Sequence, residues 1–512
     1  MRDTTVALAV VFVLAWSSPL VADDTTCREP AEGLPLEVAT VLPPEPILSA
    51  AERPAGPWSG QRRLAAFDSI LTALLASDTL VPFTIGGQAA VLAPWFEFPG
   101  YNACVSSNLK DGHTSTSGPL ITGKSLSPPN FLVVSDEFSE VAVVIAMGAN
   151  VADMWRIDHA VQAMASATYP ALPCWIAVAN GAGFGCHPER EDSASDATAR
   201  FGLAYFLAGY NPRFPAADRA TFLSRARALA AAHRDLEYRA LAATPTGCWT
   251  SPITNRPICY LPAAGANAAG NATPEMYIGY FQDQIRFLLA AYADSGTQSF
   301  LTRAQDLIDL FLVASHYEDG KPIGFGCKWF KWERSAGGFV TTTCIEGWDV
   351  ADAPRSLWMG DVLRAHRLAT GGQSSIVVDK LQAWVDALIP HESQSTACSC
   401  VIYLYNPLNN TLQLSYCQNG HYTIGLGLGL LTERGWTAVG TKLDRGIDHF
   451  LWNADPADGR WDTDYPGCFY VFQGVRMLKA LASAIGLDSH VYGVVFGDSF
   501  ESGDTAAWSA VW

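Results

Sequence analysis

Apolar residues recur every three to four positions along most of this chain, the spacing that lays one hydrophobic stripe along a helix. The pattern predicts twelve helical segments, at about 62–79, 137–149, 153–167, 195–209, 216–240, 274–294, 298–315, 353–371, 375–389, 421–434, 436–453 and 468–486. They pair as hairpins through short connections such as Gly148-Ala149-Asn150 and Asp294-Ser295-Gly296. Longer loops, carrying cysteines and aromatic residues, separate the pairs. Only 400–405 and 412–416 alternate clearly with period two, and they predict one β-hairpin through Asn409-Asn410. Six helical hairpins predict an all-α fold, an (α/α)6 toroid over 61–487. Its inner helices would be the more apolar or glycine-rich ones. Gly425, Gly427 and Gly429 cost helix propensity, so close packing is their reading. No Lys or GxGxxG follows a strand, so they match no phosphate-binding pattern.

Composition narrows the setting. Apolar residues make up 49% of 512, enough for a large core, and 50 acidic against 33 basic residues give a net charge of −17. No Lys/Arg run or basic patch appears, which argues against a nucleic-acid partner. Residues 1–22 read as a secretory signal: Arg2, an apolar run over 6–16, then Ser17-Ser18-Pro19 and Ala22. The run is too short to span a bilayer, and no later stretch offers about 18 uninterrupted apolar residues. A soluble chain is therefore expected, secreted, periplasmic or at the cell surface, and monomeric. Export accounts for twelve cysteines, several in local pairs: Cys174 and Cys186, Cys248 and Cys259, Cys327 and Cys344, Cys398 or Cys400 and Cys417. Cys27 and Cys104 could tie down a Pro- and Glu-rich arm over 23–60. Connectivity does not follow from sequence. No paired CxxC, HExxH or His i, i+4 spacing is present, so neither a metal nor a cofactor is expected. After Leu487 the helical pattern stops, and 488–512 read as a polar tail with spaced aromatics, similar to a short C-terminal signature of exported bacterial proteins.

Three acidic residues stand at helix starts far apart in the chain: Glu137, Asp196 and Asp352. Each alone reads as an ordinary N-cap, stabilised by unpaired N–H groups and the helix dipole. At the same end of successive inner helices, the three would converge on one cleft.

These residues sit in a series of motifs. Val133-Val134-Ser135-Asp136-Glu137 leads into an apolar helix; Ala194-Ser195-Asp196 follows, then Gly279-Tyr280-Phe281, Asp352-Ala353-Pro354-Arg355 and His421-Tyr422. In order and placement the series resembles glycoside hydrolase family eight, inverting endo-acting enzymes of the (α/α)6 class, from about 133 to 487. The resemblance implies a polysaccharide substrate, Glu137 as general acid, Asp352 as general base with Arg355 beside it, and Asp196 holding the sugar at the cleavage site. Tyr280 and Tyr422 would reach that site. The sequence departs from the pattern at Phe138 (Gly in the family), at Ala197-Thr198 (no second acidic residue) and at Ala351 (Tyr in the family).

The chemistry explains the residue types. Inversion needs one carboxylic acid to protonate the leaving oxygen and a carboxylate opposite to activate water, the two roughly 6.5–9.5 Å apart. Phe138 beside Glu137 would desolvate it and keep it protonated, while Arg355 would keep Asp352 ionised. Asp136, Glu140, Glu346 and Asp349 become rivals if the alignment slips by a turn. Sixteen Trp and 17 Tyr supply stacking faces for sugars. Trp249, Trp329, Trp332 and Trp348, in inter-hairpin loops, are the substrate-binding candidates; Trp155, Trp358, Trp384 and Trp452 read as core. The histidines are scattered and no GxSxG elbow appears. A β-linked glucan, xylan or chitosan is the expected polymer. Two other readings stay open: a polysaccharide lyase or uronyl-sugar enzyme on the same toroid, using His421, Tyr422 and Arg355, or a non-catalytic glycan-binding envelope protein, favoured by Phe138.

Overall fold

A computed structural model describes residues 80–92, 131–165, 172–180, 183–186, 195–243, 249–258, 275–314, 329–335, 338–344, 351–352, 359–388, 401–406, 411–416 and 486–492, with single helical positions at 64, 67, 68, 71, 72, 475, 478, 479 and 482. The expected signal over 1–22, the arm over 23–60, the helices at 421–434 and 436–453, and 493–512 lie outside them.

Eight helices form four consecutive hairpins: α1 (Ser135–Met147) with α2 (Val151–Ala163), α3 (Ser195–Tyr210) with α4 (Ala216–Ala243), α5 (Ile278–Ser295) with α6 (Gln298–Ala314), and α7 (Met359–Thr370) with α8 (Ile376–Leu388). The odd helices pack in sequence, α1 on α3, α3 on α5 and α5 on α7, and the even helices lie behind them. This is the two-layered arrangement of the (α/α)6 toroid, with four hairpins described. Sequence dictates which helix goes inside. Every residue from Asp196 to Gly209 of α3 is buried, as an all-round apolar helix requires. In α4 the described buried positions form a stripe, Phe222, Ala226, Leu229, Ala230 and His233, while Arg225 and Arg227 reach solvent. Small residues set the spacing between layers. A Cβ at Gly202 of α3 would fall 2.2 Å from the ring of Phe287 on α5, and one at Gly209 2.6 Å from Leu223 on α4.

Each hairpin turns tightly. Between α1 and α2, Ala149 takes a left-handed conformation (φ 55°), and Asn150 caps α2 by accepting from the Asp153 N–H at 3.1 Å. Gly296 (φ 64°) closes α5–α6 and Gly371 (φ 65°) opens the α7–α8 turn, positions that glycine fills at no steric cost.

The opposite end is built differently. A strand leads into three of the inner helices and pairs, in each case, with a β-hairpin that follows the matching outer helix. Thus β3 (Phe131–Val134) enters α1 and pairs with β4 (Ile176–Asn180), itself paired with β5 (Gly183–Cys186). Likewise β8 (Glu275–Tyr277) enters α5 and pairs with β9 (Trp329–Ser335), which pairs with β10 (Gly338–Cys344). β11 (Ala351–Asp352) precedes α7 and pairs with β12 (Val401–Asn406), followed by β13 (Thr411–Tyr416). The α3–α4 pair is followed only by the short hairpin of β6 (Trp249–Thr250) and β7 (Pro257–Ile258). Near the N-terminus, β1 (Val81–Ile85) and β2 (Gln88–Leu92) turn through Gly86 and Gly87, both at positive φ, and His159 Nδ1 of α2 lies 2.7 Å from the Ala89 carbonyl.

Three expectations change here. The β12–β13 hairpin forms as expected, but it is one of several, so strand content exceeds the reading from period-two alternation. The segment expected to be helical from 274 begins as β8 and becomes helical at Ile278. Asp352 does not open a helix: it is a strand residue, opposite Leu404, and α7 starts at Met359. Pro354 explains the delay, because it disfavours helical backbone in the residue before it. The helical pattern does end near Leu487, yet Asp488, Ser489, Val491 and Tyr492 continue into the buried core.

Candidate active site

The buried Asp, Glu and Arg side chains described on the inner helices meet in one set, apart from Asp294 near the end of α5, which pairs with Arg227 of α4. In the upper cluster, Arg200 of α3 donates to Asp196 Oδ2 at 2.6 Å, to Asp283 Oδ2 of α5 at 3.2 Å and, through Nε, to Ser139 Oγ of α1 at 2.9 Å. Its guanidinium also lies 3.8 Å from Glu140 of α1. Lys479 approaches Glu140 at 2.8 Å and donates to both Asp283 oxygens at 3.2 Å. All these residues are buried. Burial alone would push the Asp283 carboxyl up, but Lys479, Arg200 and Arg286 together hold it well below the usual carboxylate range.

A lower cluster adjoins it. Arg286, one turn beyond Asp283 on α5, lies 3.2 Å from Asp361 of α7 and donates to Asp488 at 2.7 Å and to the Tyr492 hydroxyl at 3.3 Å. Arg364 of α7 donates to Asp361 at 3.0 Å, to Asp488 at 2.5 Å and to Ser489 at 3.1 Å. Burial opposes ionisation of Asp488, yet Arg364 and Arg286 bring its pKa below the ordinary value. Burial also moves the Tyr492 phenol up to about 12, so it stays a neutral donor and acceptor.

Glu137 and Tyr280 stand one turn nearer the strand-bearing end than residues of this charged floor, and Asp196 is itself part of the floor. Glu137 stands in the first turn of α1, three residues before Glu140; Asp196, in the first turn of α3, is four before Arg200; Tyr280, in the first turn of α5, is three before Asp283. Residues three or four apart share a helix face about one turn, 5.4 Å, apart. Three candidates therefore sit at one level of three neighbouring inner helices, at the strand-bearing end. Asp352 joins that end from β11, seven residues ahead of α7. Trp249 lies on β6; Trp329 and Trp332 lie on β9, Trp329 opposite Tyr277 at the entry to α5. Arg355, Tyr422 and Trp348 fall outside the described residues.

The start of α1 is held from behind. The Ser135 N–H donates to the Trp175 carbonyl at 2.8 Å and its hydroxyl donates to the Cys174 carbonyl, while a disulfide joins Cys174 to Cys186 across the base of β4–β5. The other expected cysteine pairs lie outside the described side chains. The fully buried ring of Phe138 packs edge-on against Phe201 of α3, with centroids 5.6 Å apart, and joins α1 to α3. Asp196 is itself enclosed, at 1% exposure, its carboxylate turned toward Arg200, so it belongs to the floor more than to an open wall.

Sequence reading singled out Glu140 but passed over Arg200, Asp283, Arg286, Asp361, Arg364, Lys479 and Asp488. A signal was present: charged pairs at i, i+3 or i, i+4 inside otherwise apolar helices, as in Asp196/Arg200, Asp283/Arg286 and Asp361/Arg364. Such charges must find partners across the ring, because an unpaired buried charge is prohibitively costly. Among the described residues, no group of His, Cys, Asp and Glu could hold a metal ion, and no helix is long and apolar enough to cross a membrane.

No family model matches the sequence, and no curated protein matches it. Solved structures do resemble it in fold. One is an endo-1,4-D-glucanase from Vibrio fischeri, at 13% identity over 70% of this chain and 90% of that one, with a TM-score of 0.44. Another is a family 76 glycoside hydrolase from a bovine Bacteroides thetaiotaomicron strain, at 8% identity over 82% and 77%, TM-score 0.48. A third is a cellobiose 2-epimerase from Bacillus thermoamylovorans, at 11% identity over 69% and 88%, TM-score 0.47.

Proposed function

We propose that this chain is an exported glycoside hydrolase that cleaves a β-linked polysaccharide (glucan, xylan or chitosan) with inversion. Glu137 serves as general acid, Asp352 as general base and Asp196 as the group that holds the sugar at the cleavage point. The observation that carries this reading is the first-turn placement of Glu137, Asp196 and Tyr280 on three neighbouring inner helices, at the end where β11 carries Asp352. An acid and a base on separate elements of one rim suit inversion, which needs a gap for water between them. Trp249 on β6 and Trp329 and Trp332 on β9 are the proposed faces for stacking on sugar rings. Phe138, the residue that favoured a decayed glycan-binding protein, is used in packing α1 against α3.

A reducing-end assay of the purified chain on β-glucans, xylan, chitosan and pectic polymers tests the proposal. New reducing ends, with inverted anomeric configuration by proton NMR of the first product, are expected on at least one of the first three. Unsaturated products absorbing in the ultraviolet would replace this reading with a lyase. Binding without turnover would replace it with a glycan-binding protein.

A further inference from the structure

We infer that Arg200 is a positioning residue for the proposed sugar-holding carboxylate, locking Asp196 to two neighbouring inner helices; this rests on the hydrolase reading above. Asp196 lies in the first turn of α3, where helix ends fray most readily, and a side chain there has little of its own helix to fix it. Arg200 supplies the constraint. One arm of its guanidinium holds Asp196 at 2.6 Å, the other reaches Asp283 on α5 at 3.2 Å, and Nε donates to Ser139 on α1 at 2.9 Å. A planar guanidinium with donors in a fixed fork can satisfy three directions at once; a lysine ammonium at that place cannot hold the same geometry.

The consequence is a carboxylate whose position is referenced to α1 and α5. Those two helices also carry Glu137 and Tyr280, two and three residues from the atoms that Arg200 grips. Ser139 and Asp283 are thus the points through which the Asp196 position is tied to the rest of the rim. Lys479 completes the tie by gripping Asp283 and Glu140 from a further helical segment. Arg200 acts only through Asp196.

The test is a double-mutant cycle of Arg200→Gln and Asp196→Asn, read on cellohexaose, xylohexaose and the glucosamine hexamer. Arg200→Gln is expected to raise KM about tenfold with kcat little changed, the scale of one charge-assisted hydrogen bond. Arg200→Lys should recover part of the loss. On an Asp196→Asn background, Arg200→Gln should add almost nothing. Should Arg200→Gln fail to fold, Ser139→Ala replaces it in the cycle: it removes one tether and leaves the charge, with an expected two- to threefold rise in KM that again vanishes on Asp196→Asn. Full additivity in either cycle, or an unchanged KM in the folded variants, overturns the inference while leaving the hydrolase reading standing. A wild-type chain inert on every polymer and hexamer overturns that reading first and takes this inference with it.

Discussion

Arg286 and Asp488 stand 202 residues apart in the chain and meet at 2.7 Å, both fully enclosed by protein. Their contact ties α5 to the segment that follows the last helical pattern. Removing Asp488 leaves the buried Arg286 and Arg364 to share Asp361, and breaking a buried ion pair in this way costs about 3–5 kcal/mol. Asp488→Ala should therefore lower the denaturation midpoint sharply, and a chain truncated after Leu487 should lose at least as much. An unchanged midpoint in Asp488→Ala would show that the lower cluster contributes little to stability.

Turnover should depend on the two proposed proton-transfer groups. Glu137→Gln and Asp352→Asn are each expected to reduce kcat by at least about a hundredfold while the fold persists, the usual scale for losing a general acid or base. Normal hydrolysis by either variant would reassign its role, with Glu140 and Asp349 the next residues to test.

Acid should destabilise the fold in two stages. His366 is buried, and burial brings its pKa from 6.5 down to about 4. Between those values the unfolded chain binds a proton that the folded chain refuses, so stability falls as pH drops from about 6.5 to 4. The depressed pKa of His490, also set mainly by burial, adds to the same limb. Asp283 and Asp488 have lowered folded pKa values, so their contribution is present above the unfolded carboxylate pKa and lost below it. Melting temperatures from pH 7 to 3 should show both stages. His366→Gln should reduce the first by about 3 kcal/mol, the worth of the two-and-a-half-unit displacement, and leave the second.

The glycine between α3 and α5 gives a packing test. Gly202→Ala improves helix propensity by roughly 1 kcal/mol, yet its Cβ would fall 2.2 Å from the Phe287 ring. Overpacking typically costs about 1–3 kcal/mol, so a net loss is expected by thermal melt. Phe287→Leu in the same chain should recover part of it by clearing the ring.

Much of the architecture can be read from residue order. Period-3.6 patterning locates all eight described helices, most to within a few residues, because α4 and α6 are amphipathic and α3 and α5 are continuously apolar. The hairpin through Asn409-Asn410 was legible for the same local reason: alternation on both sides of a turn. The strands entering α1, α5 and α7 were not. β3 and β8 are three to four residues long and run straight into helical pattern, so no turn signal separates them; only pairing with a distant hairpin makes them strands. Asp352 was misplaced by that confusion, although Pro354 two residues on was the available warning. Among the site residues, first-turn acids could be recognised from their position. Arg200 and Asp283 could not be assigned partners, because their contacts join α1, α3, α5 and the segment around Lys479, and local sequence does not record which helix faces which.

The strand ahead of α1, α5 or α7 pairs with the hairpin that follows the same helical pair, so each such unit closes on itself before it meets its neighbours. A cap of this kind can be lengthened, trimmed or exchanged without altering the helices beneath or the tight turns at the far end. On the proposed hydrolase reading, preference for one glycan over another is separable from the machinery that makes the barrel stand, and grafting one cap at a time is the route to retargeting it.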